Sequence, residues 1–297
     1  MNGPVQIKAN AKINLTLDIT RALPDGYHAI HTVMQSVTLH DTLLLTPARQ
    51  GVTLAVKHET AEETPVPEDG RNLAVIAAKA FYEAARIPPA VHVDLTKRIP
   101  SRAGLGGGSA DAAAVLCGLN EMYGFCVPHD ILLKIALKIG ADVPFCLVGG
   151  TMACFNKGEV MAKTEPFSSY VVIAKPSVGV STAEAFRIFD EKPALTHPDT
   201  DLFVYHLMRR EHEQAFGAAG NLFEQLCPPP PGESIKNRMR ENGAFYASMS
   251  GSGSAYFGLF RSFAAASRAS DALREDGLPF CCVCRAAAAG AETEKIG

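Results

Sequence analysis

The 297-residue sequence predicts an α+β protein, because segments with the two-residue alternation of strands are interspersed with segments of helix-forming sequence. Near the N-terminus, Ile13, Leu15 and Leu17 alternate with polar residues and indicate a strand. In the middle of the chain, a glycine run passes directly into an alanine-rich stretch, which is typical of a tight loop that leads into a helix. The length suits one large domain or two moderate ones.

The N-terminal half is predicted to contain four strands and three helices. Alternation indicates strands at residues 6–19, 32–45, 52–57 and 91–95. Asn72 is a suitable N-cap for a helix that continues to residue 85, and Asp130 is one for a helix that Gly140 closes. Ser109 and Asp111 lie where the helix after the glycine run is expected to begin.

The C-terminal half continues the same mixture of elements. Strands are predicted at residues 151–155, 160–162, 170–174, 255–260 and 280–284. Helices are predicted from residue 181, at 201–217, from 221, at 233–242 and at 263–274. Residues 247–254 form a second loop of small residues, and residues 286–297 are expected to fray. The pattern changes from residue 150, and the most natural boundary falls near residue 160, between a half that holds the glycine run and a half that holds the second small-residue loop. We therefore divide the chain into domains 1–160 and 161–297.

The composition excludes several classes of protein. The net charge is −3, and no basic tract is long enough to suggest binding to nucleic acid. No run approaches the roughly 18 apolar residues of a membrane span, and the N-terminal residues do not form a secretory signal. The eight cysteines are scattered without metal-binding spacing, which predicts reduced thiols in a cytoplasmic protein.

The glycine-rich loop is the main candidate for a ligand site. Glycines let the backbone approach a ligand closely, and the free N–H groups at the start of a helix attract phosphate. The spacing Gly104-x-Gly106-x-Gly108 fits neither the P-loop, which needs a lysine after its glycines, nor the G-x-G-x-x-G dinucleotide loop. A flexible linker or an ordinary turn remains the alternative interpretation.

Polar or aromatic residues at three further places in the chain have roles that the local sequence leaves ambiguous. Lys12 and Asn14 are two residues apart and project from one strand face, either as functional groups or as solvated surface. Tyr27 and His28 follow a turn and either stack on a planar base or pack in the ordinary way. Asp142 has small and apolar neighbours, so it either has a chemical task or serves as a helix cap.

Taken together, these segments resemble the motifs of the GHMP kinase superfamily. The three superfamily motifs correspond to Ala11-Lys12-Ile13-Asn14-Leu15, to residues 100–110 and to Ser250-Gly251-Ser252-Gly253. Two more segments, Asp25-Gly26-Tyr27-His28 and Gly140-Ala141-Asp142-Val143-Pro144, are similar to the family whose acceptor is 4-diphosphocytidyl-2-C-methyl-D-erythritol. The resemblance extends from about residue 12 to residue 260, which is nearly the whole chain.

The resemblance implies an ATP-dependent transfer of the γ-phosphoryl group to the 2-hydroxyl of the methylerythritol moiety, in the non-mevalonate pathway to isoprenoids. It makes Asp142 the base that accepts the hydroxyl proton and Lys12 the cation that steadies negative charge beside it. The residues that it implies for ATP binding are Asn72, Pro100, Ser101, Arg102, Ala103, Gly104, Leu105, Gly106, Gly107, Gly108, Ser109 and Ala110.

The resemblance also implies a pocket for a cytidine. Tyr27 and Phe186 match positions that sandwich the cytosine ring, and His28 matches one that reads its polar edge. The other residues that it implies for substrate binding are Asn14, Thr182, Ser250 and Gly251.

One departure concerns the metal. Many superfamily members have two serines after Gly-Leu-Gly, the second of which helps to hold Mg²⁺, whereas this chain has Gly107 and Gly108. The protein ligands of the metal therefore stay unnamed. Mg²⁺ is still expected, held largely by phosphates and water, because phosphoryl transfer requires neutralisation of the phosphate oxygens.

The expected partners are ATP and the cytidine diphosphate-linked methylerythritol, without nucleic acid or membrane, for a monomer or weak homodimer. One alternative is another GHMP kinase that acts on mevalonate, homoserine or a sugar, and another is an inactive nucleotide-binding relative. A pocket for a base argues against the first, and the retained Lys12 and Asp142 argue against the second. The superfamily implies an N-terminal nucleotide-binding domain, a C-terminal ferredoxin-like domain and an active site in the cleft between them.

Overall fold

The structure is a computed structural model and describes residues 3–24, 26–59, 66–191, 196–226 and 228–294. Its strands are β1 (Val5–Ala22), β2 (His28–Pro47), β3 (Gly51–His58), β4 (Ala90–Lys97), β5 (Thr151–Asn156), β6 (Val160–Lys163), β7 (Tyr170–Lys175), β8 (Tyr246–Met249), β9 (Tyr256–Phe260), β10 (Phe280–Arg285) and β11 (Ala291–Glu294). Its helices are α1 (Leu73–Ala85), α2 (Gly107–Met122), α3 (His129–Ile139), α4 (Val143–Val148), α5 (Thr182–Glu191), α6 (Thr200–Met208), α7 (His212–Ala218), α8 (Leu222–Leu226), α9 (Gly232–Glu241) and α10 (Phe263–Glu275). Over these residues, no helix combines the length and the apolarity that a membrane span would need.

A mixed sheet forms the first layer. Its strand order is β11-β1-β2-β4-β3, and β5 and β6 extend it from β2. The long strands β1 and β2 pair antiparallel along most of their length, whereas β3 runs parallel to β4. Helices α1 and α2 pack together, and α2 lies on β1 and β2 above a core that includes Ile7, Leu45 and Leu116. This packing fixes the start of α2 relative to the middle of β1.

A second, fully antiparallel sheet has the order β10-β7-β9-β8. Helices α9 and α10 pack on it around a second core that includes Val172, Met239, Phe260 and Leu273. The α+β architecture predicted from the sequence is therefore confirmed, with two separate sheets that each carry their own helices.

The C-terminal tail differs from its prediction. Residues 291–294 do not fray but form β11, which pairs antiparallel with β1 from Gln6 to Ala9. The Asn10 side chain donates hydrogen bonds to the Ala289 carbonyl and to the Glu292 carboxylate, and these contacts hold the returning segment. Strands β6 and β11 begin at residue 160 or later and still belong to the first sheet. The two sheets therefore do not separate at residue 160, and the domain boundary at that residue stays a prediction.

Several element boundaries also differ from the sequence predictions. Helix α2 begins at Gly107 inside the glycine run, so Ser109 and Asp111 lie within the helix rather than at its cap. Asp130 lies in the first turn of α3, and Pro128 occupies its N-cap position. The helix predicted at 201–217 is interrupted between α6 and α7, where Arg210 adopts a left-handed backbone conformation. The predicted loop at 247–254 instead begins within strand β8.

Candidate active site

A cleft of about 910 Å³ is lined by most of the predicted site residues. The predicted residues that line it are Lys12, Asn14, Tyr27, His28, Asn72, Pro100, Ser101, Arg102, Ala103, Gly104, Leu105, Gly106, Gly107, Gly108, Ser109, Asp142, Thr182, Phe186 and Gly251. Two predicted residues do not line it. Ala110 is buried inside α2, and Ser250 is buried beneath the glycine loop.

Lys12 and Asp142 meet in the middle of the cleft. The Lys12 Nζ atom lies 3.4 Å from Asp142 Oδ2 and donates a hydrogen bond of 2.8 Å to Asn14 Oδ1. Asn14 is held in turn, because its amide donates to the Thr32 hydroxyl at 2.9 Å. The Lys12 side chain is buried, whereas that of Asp142 is one-third exposed. The result is a fixed cation beside a carboxylate that a ligand can reach.

The alternative role of Asp142 as a helix cap is only partly realised. Asp142 occupies the N-cap position of α4, but its side chain forms no capping hydrogen bond there. Its carboxylate faces Lys12 instead. The backbone of Asp142 therefore lies at the start of α4, while its side chain is directed to the cleft.

The glycine loop meets the requirements of an anion site. Gly106 occupies the N-cap position of α2 in a left-handed conformation, and no side chain caps the helix. The first backbone N–H groups of α2 therefore lack intrahelical partners, and the helix dipole places partial positive charge at the same point. The loop is tied to β1, because the Lys12 N–H donates to the Leu105 carbonyl at 3.0 Å.

The third motif packs against the back of this loop. The Ser250 hydroxyl donates to the Gly104 carbonyl at 2.9 Å, and the Ala255 N–H donates to the Ala103 carbonyl at 3.1 Å. Gly251 and Ser252 reach the cleft, and Ser252 contacts the Thr182 hydroxyl with 3.0 Å between the two oxygens. The contribution of Ser250 is thus to support the glycine loop.

Aromatic rings also line the cleft. The imidazole of His28 stacks on Phe186 with 4.6 Å between the ring centroids and an interplanar angle of 13°. His28 Nε2 lies 2.7 Å from Asp190 Oδ1. Tyr27 is 57% exposed, and the Lys157 ammonium lies 4.3 Å from its ring centroid. One face of Phe186 is therefore covered by His28, while the Tyr27 ring is presented to solvent and to the cleft.

Asn72 caps α1, as the sequence predicted, and it also lies where it could bind ATP. Its side chain accepts a hydrogen bond of 2.9 Å from the Ala74 N–H and donates one of 2.7 Å to the Pro67 carbonyl. It therefore caps α1 while lining the cleft near the glycine loop.

A buried charged cluster under the loop was missed by the sequence analysis. The Lys97 ammonium contacts Asp41 Oδ2 and donates 2.7 Å to Asp111 Oδ2. Asp41 Oδ1 also accepts hydrogen bonds from the N–H groups of Arg98 and Ile99. The only sequence signal was a lysine three residues before the loop, because its two partners come from β2 and α2. Lys157 and Asp190 were also missed, since their contacts with residues 27 and 28 depend on tertiary packing.

Burial and charge act in opposite directions in this cluster. Burial penalises the charged form of Asp111 and raises its pKa to about 8, although the Lys97 charge acts to lower it. Burial would lower the pKa of Lys97, but the carboxylates of Asp111 and Asp41 outweigh it and raise that pKa. Burial therefore favours the neutral form of Asp111, while the neighbouring carboxylates favour the charged form of Lys97.

Family models match both halves of the chain. Residues 72–150 match the model described as "GHMP kinases N terminal domain", and residues 205–277 match "GHMP kinases C terminal". The fold and the cleft are thus those of a two-domain small-molecule kinase of the GHMP type.

Individual relatives identify the family within the GHMP kinases to which the chain belongs. A protein of Clostridium botulinum (strain Eklund 17B / Type B) named 4-diphosphocytidyl-2-C-methyl-D-erythritol kinase is 36% identical, covering 91% of this chain and 96% of that relative. A relative of the same name from Exiguobacterium sibiricum is 41% identical over 85% of this chain and 88% of its own length. A crystal structure of 4-(cytidine 5'-diphospho)-2C-methyl-D-erythritol kinase matches with a TM-score of 0.79 and 32% identity, over 95% of this chain and 99% of the other. The chain belongs to the family of 4-diphosphocytidyl-2-C-methyl-D-erythritol kinases.

Proposed function

We propose that this chain transfers the γ-phosphoryl group of ATP to the 2-hydroxyl of 4-diphosphocytidyl-2-C-methyl-D-erythritol, a step of the non-mevalonate pathway to isoprenoid precursors. The observation that carries the proposal is the Lys12–Asp142 pair, with 3.4 Å between Nζ and Oδ2, in a cleft that the glycine loop and a group of aromatic rings also line. The names of the relatives described above support the choice of acceptor.

ATP binds with its triphosphate at the glycine loop and with its adenine side toward Asn72. The uncapped start of α2 supplies backbone N–H groups and the positive end of a helix dipole to the phosphates. Mg²⁺ enters as part of the MgATP substrate. The ion would be held largely by phosphate oxygens and water, as expected for a metal that arrives with the nucleotide.

The acceptor binds with its cytosine among Tyr27, His28 and Phe186 and its methylerythritol next to Asn14. Aromatic faces stack on a pyrimidine, and the His28 imidazole, oriented by Asp190, is suited to hydrogen bonding with its polar edge. Thr182, which opens α5 beside the third motif, lies close enough to the cleft to contact the diphosphate or the sugar alcohol.

Asp142 accepts the proton of the 2-hydroxyl as its oxygen attacks the γ-phosphorus. The bond between the γ-phosphorus and the β,γ-bridging oxygen breaks, ADP leaves, and the new phosphate ester carries the transferred group. Lys12 stabilises the negative charge that develops on the attacking and transferred oxygens. Because Lys12 is held by Asn14, this charge is in place before the reaction.

We propose that the enzyme works in the cytoplasm as a monomer or weak homodimer. The cysteines at 117, 126, 146, 154, 281, 282 and 284 are free thiols, as in proteins of a reducing compartment.

The experiment that tests the function is ADP release from MgATP with each of three acceptors: 4-diphosphocytidyl-2-C-methyl-D-erythritol, mevalonate and homoserine. We expect turnover of the cytidyl acceptor alone. Turnover of mevalonate or homoserine instead would assign the chain to a different specificity, and ATP binding without any turnover would favour an inactive relative.

Phe186→Ala is expected to raise the KM for the cytidyl acceptor by about 10- to 100-fold, since stacking on a base contributes on the order of 1–3 kcal/mol. The KM for ATP and kcat are expected to change little, because Phe186 stacks on His28 in the part of the cleft proposed for the cytosine. Phe263→Ala, which removes a 56% exposed ring outside the cleft, is the matched control. A change in the KM for ATP with an unchanged KM for the acceptor would contradict this placement of the base.

A further inference from the structure

The carboxyl group of Asp111 has an unusual position for a buried acid. Its Oδ2 atom accepts the hydrogen bond from Lys97, but its Oδ1 atom is buried and has no hydrogen-bond partner among the described residues. An ionised carboxylate with an unpartnered buried oxygen is costly, whereas a protonated one is much less so. The geometry therefore favours a neutral Asp111.

The rest of the cluster already balances the charge of Lys97. Asp41 contacts the Lys97 ammonium and accepts two backbone hydrogen bonds, which is the environment of an ionised carboxylate. With Asp111 neutral, one lysine faces one carboxylate and the cluster has no net charge. With Asp111 ionised, the same cluster has a net charge of −1.

This cluster lies directly behind the phosphate-binding end of α2. A Cβ atom placed on Gly107, the first residue of α2, would lie 3.3 Å from Lys97 Nζ. Asp111 is four residues further along α2 and thus on the same helix face as Gly107. Both Lys97 and Asp111 line the cleft. A negative charge at Asp111 would therefore oppose the binding of a triphosphate at the loop.

We infer that Asp111 is a positioning residue whose proton is linked to nucleotide binding, so that ATP binds best when Asp111 is neutral and raises its affinity for that proton. The inference rests on the proposed binding of ATP at the glycine loop. By linkage, nucleotide affinity is highest below the pKa of Asp111 in the free enzyme and falls as the pH rises through it.

The surroundings of Asp111 limit the other contributors to such a pH dependence. Lys97 at the end of β4 and Asp41 on β2 are the groups whose charges act on its carboxyl. On α4, the Cys146 thiol has a pKa raised by burial, with the negative charge of Asp142 as a further cause. Lys12 on β1 faces Asp142 rather than this cluster.

The test is calorimetry of a non-hydrolysable MgATP analogue binding to the full chain, in two buffers of different ionisation enthalpy. For the wild type we expect uptake of a fraction of a proton near pH 8.5 and a Kd that rises roughly tenfold between about pH 7.5 and 9.5. Asp111→Asn, which keeps the size and the acceptor for Lys97, is expected to bind without that uptake and with a nearly flat pH profile. Asp130→Asn removes an exposed carboxylate of α3 and is expected to behave as the wild type does.

Three results would overturn the inference. They are no proton uptake by the wild type, equal uptake by Asp111→Asn, and a Kd that does not depend on pH. If Asp111→Asn does not fold, the wild-type measurement can still overturn the inference, because binding without proton uptake contradicts it. Binding with unchanged proton balance would leave the proposed kinase function intact, whereas no binding of the analogue at any pH would contradict the nucleotide site itself.

Discussion

Asp142→Asn is expected to lower kcat by about a thousandfold, within the range for the loss of a general base. The amide has the size of the carboxylate but cannot accept the proton of the 2-hydroxyl. The KM for ATP is expected to change little, because the Asp142 carboxylate faces Lys12 and is proposed to act on the acceptor hydroxyl. Steady-state ADP release with the cytidyl acceptor measures both constants.

The control for Asp142→Asn is Asp94→Asn, which removes an exposed carboxylate of β4 whose contact is with His92. That variant is expected to keep full activity. If Asp142→Asn retained more than about a tenth of wild-type kcat, Asp142 would not be the base, since general-base catalysis contributes at least about a hundredfold. Lys12 and the bound phosphates would then have to carry the catalysis by charge alone.

Gly104→Ala is expected to destabilise the fold by about 3 kcal/mol and to reduce kcat/KM for ATP. Gly104 has φ +73°, a conformation that costs an alanine about 1–2 kcal/mol. Its added Cβ would also lie 2.0 Å from the Ser250 carbonyl oxygen, and such overpacking costs a further 1–3 kcal/mol or so. The third motif would have to move away from the loop that it supports. Urea denaturation and ATP titration of the rate measure the two effects.

Gly277→Ala separates the two causes. Gly277 has φ +83° but no atom within 4 Å of an added Cβ, so this variant has the backbone strain without the clash. We expect a loss of about 1–2 kcal/mol in the free energy of unfolding and unchanged kinetics. Equal losses for the two variants would show that the contact between the glycine loop and the Ser250 carbonyl is unimportant for stability.

Local sequence was sufficient to predict an element wherever the conformation of a residue depends on its neighbours in the chain. The alternation around Ile13 predicted β1, Asn72 predicted the cap of α1, and the glycine run predicted a loop that leads into α2. The ends of elements were less predictable. Helix α2 begins earlier than expected because Gly107 and Gly108 tolerate the helical conformation as well as the loop.

Long-range pairing set the features that the sequence missed. Strand β11 exists because β1 offers it an edge and Asn10 holds its approach, and neither condition is visible in residues 286–297. The same holds for His28, whose partners Phe186 and Asp190 come from α5. Ser250 was predicted to contact ligand, yet it is buried under Gly104.

By itself, the sequence determined the α+β class and the glycine loop that leads into a helix, while phosphate binding at that loop and catalysis by Lys12 and Asp142 stay predictions. Those depend on periodicity, on the backbone freedom of glycine and on the chemistry of single side chains. Only the tertiary structure decided that Lys12 meets Asp142 and that Lys97 is buried between Asp41 and Asp111. The physical reason is that charge interactions and desolvation depend on distance and burial, and packing of elements far apart in the chain sets both.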